Sequence, residues 1–335
     1  MRTFRLVLAL SSLLLIASCS PKAPRLNLKG ENHLSKVIDA DNAEDFNPMA
    51  DILFVVDDSG SMSTHQTNLA NNIDLFTSVF LRRSILDYNI GVVTTDLDGY
   101  NRSTPCCGRL VGDVKIVNRR TPNADTVLAA NIMVGTRGSA EERPLDAADL
   151  AFSTANLNGW NAGFHRPGST LIVVFITDAE DQSQIEAKEL MEKLVVLQRG
   201  DHRKVLLYGA IVPSSVTGGC SRDHGYPVKL ELFLSLSDTA PNNVMSLCDP
   251  DFGSRLAEFA VDIVEKASSV MYLSRPPDVN SIRVLFGNME LPRDPYIGWS
   301  FDPRLNAISL GKNVDWLSQP AGSEVKVYYN EAEYK

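Results

Sequence analysis

The chain has 335 residues, 44% of them apolar and 22% charged, and its 41 acidic against 32 basic side chains give a formal charge of −9. That balance describes a folded acidic protein, long enough for one large domain with an appendage. It lacks any Lys- or Arg-rich stripe that could neutralise a phosphate backbone, so nucleic acid is excluded as an expected partner.

The first residues read as a targeting segment. Arg2 and Arg5 form a positive n-region, Leu6 to Ile16 form an apolar stretch too short to span a bilayer, and Ile16-Ala17-Ser18 puts small residues ahead of Cys19. This order resembles the lipobox of bacterial lipoproteins. The resemblance implies a signal over 1–19, acyl chains on Cys19 as a stable membrane anchor, and, with Ser20 following, retention in the outer membrane of a bacterial cell envelope. Residues 20–48 carry Pro21, Pro24, several Lys and Asn and few large apolar side chains, a composition that predicts a flexible tether.

From 49 to 274 the hydrophobic period switches repeatedly between strand and helix. Asp51–Asp57 is an apolar β-branched run and predicts a buried strand. Thr64–Arg83 places Leu69, Ile73, Phe76, Val79 and Phe80 at helical spacing. Tyr88–Thr95 and Leu110–Val117 are expected strands, and Ala124–Val134 and Pro144–Thr154 expected helices, with Pro144 in a first turn where proline is tolerated. Leu171–Thr177 is the clearest buried strand. Ser183–Gln198 reads as an amphipathic helix, Val205–Val212 as a strand, Gly253–Ser268 as a helix and Val270–Leu273 as a short strand. Alternation of this kind predicts an α/β fold, a doubly wound and mostly parallel sheet with helices on both faces. From 275 to 335, Pro276-Pro277 and Gly287, Gly311 and Gly322 punctuate short alternating segments at Ile282–Phe286, Trp299–Phe301, Ala307–Leu310 and Glu324–Tyr329. They predict a small antiparallel β appendage.

In parallel sheets ligands bind beyond the carboxyl ends of the strands, and Asp57 and Asp178 each stand just past such an end. Asp57-Asp58-Ser59-Gly60-Ser61-Met62 follows the first strand, Gly135-Thr136-Arg137-Gly138-Ser139 precedes the helix at Pro144, and Ile176-Thr177-Asp178 closes the strongest strand. Together these three segments resemble the metal-ion-dependent adhesion site (MIDAS) of von Willebrand factor type A (vWA) domains, over roughly residues 51–273. The resemblance implies one divalent cation, Mg2+ with Mn2+ or Ca2+ as alternatives, held by Asp57, Ser59, Ser61, Asp178 and a second-loop hydroxyl. The family usually has threonine in that loop. Counting back from Leu145 favours Ser139 over Thr136, a departure from the family pattern. Few anionic donors leave such an ion electrophilic, so a partner's carboxylate can join it. Asp58, Glu180 and Asp181 crowd the same rim, as solvated loop acids or as outer ligands. His65 reads as a surface or capping residue.

Apart from Cys19, four cysteines remain, and export permits disulfides. Cys220–Cys248 is the expected bridge, because both lie in the stretch after the fifth expected strand; joining the adjacent Cys106 and Cys107 needs a strained ring, and their pairing is left open. The spaced Cys pairs with histidines that zinc prefers are missing.

The function implied is an envelope-anchored, cation-dependent adhesion protein that captures a carboxylate-bearing protein or other ligand. The alternative is a structural or assembly lipoprotein with a vestigial metal site. An enzyme is not expected: Ser59 stands where a phosphotransferase needs a second carboxylate, and neither Ser59 nor Ser61 has the Gly-x-Ser-x-Gly surround of a hydrolase elbow. The loops Gly99–Gly108 and Ser214–Asp223 are expected to shape specificity.

Overall fold

A computed structural model describes residues 43–332 except 47, 83–85, 102–103, 217–219, 221–224, 317 and 321–322. The expected signal, Cys19 and all of the expected tether up to residue 42 lie outside the described residues.

The central sheet has six strands: β2 (Met49–Val56), β3 (Asp87–Thr94), β4 (Val117–Asn118), β5 (Thr170–Ile176), β6 (Val205–Ile211) and β7 (Val244–Ser246). Their order is β4-β3-β2-β5-β6-β7, with every pairing parallel except β3 to β4. The strands of this sheet read as continuous apolar runs because both faces are covered. Ile52, Phe54, Val56, Ile172, Val174 and Ile176 pack with Phe76 and Phe259 on one face. There α1 (Ser63–Arg82), α2 (Ala124–Ile132) and α7 (Phe252–Ser268) lie. Leu53, Val55, Leu171, Val173 and Phe175 pack with Leu145, Leu190 and Phe233 on the other, from α3 (Pro144–Ala151), α5 (Ala187–Leu197) and α6 (Val228–Ser235), while α4 (Thr154–Leu157) is a short turn after α3. This is the expected α/β, doubly wound sheet.

Two antiparallel sheets make up the remainder. One runs β1 (Ala43–Phe46), β13 (Val325–Tyr328), β9 (Arg283–Phe286), β10 (Met289–Leu291); the other runs β11 (Trp299–Asp302), β12 (Ala307–Leu310), β8 (Val270–Tyr272). They share a core of Val284, Phe286, Trp299, Ile308, Val325 and Val327.

Several expectations are corrected. Of the expected strand Leu110–Val117 only Val117, in β4, joins the sheet, opposite Ile90. Gly112, at φ +89°, breaks the run, and Leu110 N–H donates instead to Asn161 Oδ1 at 3.0 Å. The tether expected over 20–48 overreaches, since residues 43–46 pair with β13. Residues 270–272, assigned by sequence to the main domain, instead pair with β12 of the appendage. Both α6 and β7 escaped the sequence pattern, α6 being short and β7 only three residues. The Cys220–Cys248 bridge is present, with Cα atoms 5.7 Å apart. Cys106 and Cys107, whose pairing the sequence leaves open, are also joined.

At the amino end of β2, Asp51 is fully buried and accepts bonds from Arg166 N (2.6 Å), Arg166 Nε (2.8 Å) and Ser169 Oγ (2.6 Å). Arg166 Nη1 also reaches Asp87 Oδ2 at 2.8 Å. Removing the guanidinium strands a buried carboxylate. Arg166→Met should therefore lower unfolding stability by about 3–5 kcal/mol in urea titration, and a loss below about 1 kcal/mol would show the pair to be dispensable.

Candidate metal centre

The order of the sheet reverses around β2: the chain moves from β2 out to β3 and β4, then returns to β5 on the other side. The loops leaving β2 and β5 therefore open a crevice at their carboxyl ends, the usual ligand position of such sheets. Asp57 leaves β2 and Asp178 follows β5, and Asp57 N–H donates to Ile176 O at 2.9 Å. A continuous hydrogen-bonded chain joins the two segments. Thr177 Oγ1 donates to Asp57 Oδ2 at 2.6 Å, and Ser59 N–H to Asp57 Oδ1 at 2.8 Å. Ser59 Oγ and Ser61 Oγ lie 3.0 Å apart, and Ser61 Oγ donates to Asp178 Oδ1 at 2.9 Å. Asp57, Ser59 and Asp178 are buried, whereas Ser61 and Gly60 are exposed. The cluster opens to solvent on the Ser61 side.

The structure thus brings together Asp57, Ser59, Ser61 and Asp178. Ser139 is also buried and lies on a loop fastened to the first by Gly138 N–H donating to Asp58 O at 2.7 Å. Its hydroxyl is engaged locally, accepting from Glu141 N at 3.0 Å. Thr136 is half-buried on the same loop.

The flanking acids separate by role. Glu180 takes up the first backbone N–H groups of α6, from Val228 (2.6 Å) and Lys229 (3.1 Å). Asp181 accepts from Leu145 N and Ser183 Oγ and pairs with Lys229 Nζ at 3.4 Å. Both acids serve as braces for neighbouring helices. Asp58 is fully buried; one carboxylate oxygen accepts from Asn101 Nδ2 at 3.1 Å, and Oδ1 has no hydrogen-bond partner. Its carboxyl group lies flat on Gly138, where a Cβ would sit 2.4 Å from the Asp58 carboxyl carbon. His65, half-buried in the first turn of α1, is not part of the cluster.

Two carboxamides were missed from sequence. Gln66, on α1, donates through Nε2 to Asp57 O (2.8 Å) and Gly135 O (2.7 Å), and accepts through Oε1 from Gly135 N (3.1 Å). Asn101 donates through Nδ2 to Asp58 Oδ2 and to Val134 O (2.9 Å). Neither has a sequence signature, because polar residues on a helix or loop normally face water. Thr177 was legible as part of Ile-Thr-Asp, but not as the partner of Asp57.

Burial pushes the Asp57 carboxyl up to about 6, against hydrogen bonds from Thr177 and Ser59 that pull it down, and the neighbouring Asp178 raises it further. Burial likewise raises Asp58 to about 7. An all-oxygen donor set of two carboxylates and several hydroxyls suits a hard divalent ion. Among the described residues no group of three or more His, Cys, Asp or Glu side chains gathers as a metal cluster. The donors that fit the ion are Asp57, Ser59, Ser61 and Asp178.

No protein-family model and no curated protein matches the chain. Among solved structures it is similar to the pilus adhesin SpaC from Lactobacillus rhamnosus GG, at 11% identity and TM-score 0.40, covering 86% of this chain and 40% of that one. It is also similar to proximal thread matrix protein 1 from the mussel byssus in a form with a zinc-occupied MIDAS motif, at 12% identity, TM-score 0.37, and 70% and 51% coverage. A third likeness is to a von Willebrand factor type A protein from Catenulispora acidiphila, at 10% identity, TM-score 0.36, and 87% and 66% coverage. The chain spans less than two thirds of each of these proteins.

The raised carboxyls set a pH dependence for the metal-free protein. Asp57 and Asp58 hold protons in the folded state that the unfolded chain, titrating near 3.8, has already released. Folding stability in chelator should therefore fall as pH rises from about 4 to about 7, each unit of displacement being worth about 1.4 kcal/mol. Urea midpoints at about pH 5 and about pH 8 check this, and Asp57→Asn should flatten the slope. A midpoint higher at the upper pH would contradict it.

Proposed function

We propose that the protein is an envelope-anchored binding protein that captures an acidic group of its partner through a divalent cation held by Asp57, Ser59, Ser61 and Asp178. The second loop contributes Ser139, or Thr136 in its place. The observation that carries this reading is the bond of Ser61 to Asp178 at 2.9 Å, which closes oxygens from two separate strand ends around one exposed point. A bound Mg2+, or Mn2+ or Ca2+, supplies an open electrophilic position that a carboxylate can fill. Asp57 and Asp178 provide the compensating charge, the serine hydroxyls stay neutral, and burial of Asp57 keeps water from screening it.

A binding role is favoured over an enzymatic one. Among the described residues Ser169, Asp51 and His165 come together, but Ser169 is fully buried and bonded to the aspartate, so it offers no reachable nucleophile. The anchor rests on the Ile16-Ala17-Ser18-Cys19 sequence.

Calorimetry should register Mg2+ or Mn2+ uptake by the wild-type protein, and Asp57→Ala or Asp178→Ala should weaken it by about 100-fold or more. Capture of an envelope partner should disappear with chelator and return with added Mg2+. Equal uptake by wild type and Asp57→Ala would remove the site. Metabolic labelling with a fatty acid should mark the wild-type protein and not Cys19→Ala; label retained by the variant would move the anchor elsewhere.

A further inference from the structure

We infer that Gln66 and Asn101 form a paired carboxamide clamp that positions the second loop, residues 134–139, against the first ligand loop. The inference rests on the cation site proposed above and names residues that act on its geometry without touching the ion.

Each carboxamide has two N–H bonds to give, and each divides them in the same way. Gln66 Nε2 gives one to Asp57 O in the first loop and one to Gly135 O in the second. Asn101 Nδ2 gives one to Asp58 Oδ2 in the first loop and one to Val134 O in the second. Gln66 Oε1 then takes Gly135 N–H, so the second loop is held through donor and acceptor alike. A direct bond from Gly138 N–H to Asp58 O completes the seam. Both side chains are almost fully buried, at 1% and 3% exposed, where a polar group persists only when its bonds are made.

The two amides come from different places. Gln66 is carried on the helix that follows the first ligand loop. Asn101 is carried on the loop after β3, which folds around the Asp96 carboxylate through bonds from Asp98 N, Gly99 N and Asn101 N. The clamp therefore locks three connections of the crevice, after β2, after β3 and before α3, in one register. Gly138 lets the seam close, since a side chain there would strike the Asp58 carboxyl group. Without the clamp, the 134–139 segment keeps only the Gly138 bond to the first loop, and the second-loop hydroxyl loses its fixed distance from Asp57. Residues that orient a ligand loop typically change metal affinity by about 10- to 100-fold.

The test uses the full mature chain, with Mn2+ as probe and two readouts. The first is amide hydrogen exchange of the peptide spanning 133–140 in chelator, which needs no metal. The second is Mn2+ affinity by calorimetry. Asn101→Leu and Gln66→Leu should each speed exchange in that peptide by about 10-fold and weaken Mn2+ binding by about 10- to 100-fold. Asp58→Asn, which still presents an oxygen to Asn101, should leave exchange near the wild-type rate. Exchange in strand β5, read in the same experiment, reports whether each variant keeps its global fold. If Asn101→Leu destabilises the whole chain, Asn101→Leu with Asp58→Leu removes both buried polar partners together and is read in its place. Wild-type exchange in the folded clamp variants, or faster exchange with unchanged Mn2+ affinity, overturns the inference. A wild-type protein that takes up no Mn2+ is a failure of the site itself, and it is recognised without any variant.

Discussion

Two buried carboxylates, Asp57 and Asp178, share one crevice beyond the carboxyl ends of β2 and β5. Isolated charges are expensive to remove from water, so the surroundings of Asp57 are organised to hold it with hydrogen bonds from Thr177 and Ser59. The reversal of strand order between β2 and β5 makes that convergence possible, because it parts the two connections and leaves a gap between them. Everything on the rim follows from that gap. The loops that cross it are braced by side-chain carboxylates and amides because no regular secondary structure can satisfy their backbone groups there.

The braces fall into a hierarchy. Glu180 and Asp181 tie α6 and α3 to the connection after β5, which fixes Asp178 relative to the helices of one face. Gln66 and Asn101 tie the connection before α3 to the one after β2, which fixes the other side. The rim is thus built from charged groups spent on helix ends and neutral amides spent on loops.

How far the sequence could be read depended on whether a residue's role is local. Strands β2, β5 and β6 were legible because burial on both faces forces an unbroken apolar run. Asp57, Ser59, Ser61 and Asp178 were legible because each stands at a strand end. The segment Leu110–Val117 misled because Leu110 and Val111 are buried without forming a strand: Val111 N–H makes a single backbone bond to Val92 O at 2.9 Å, and Leu110 N–H goes to a side chain. A hydrophobic pattern reports burial, not the partner of the backbone. Helix α6 was hidden by its brevity. Gln66 and Asn101 were invisible for a different reason: their bonds cross 69 and 33 residues of sequence, to Gly135 and Val134, and nothing local marks a carboxamide as buried.

The pairing of β1 with β13 has a mechanical side. Ala43 to Phe46 run antiparallel to Tyr328 to Val325, and β2, which ends at Val56 just before Asp57, begins three residues later at Met49. Tension entering the chain ahead of Ala43 meets that ladder, backed by β9 and the aromatic core beneath it, before it can reach β2.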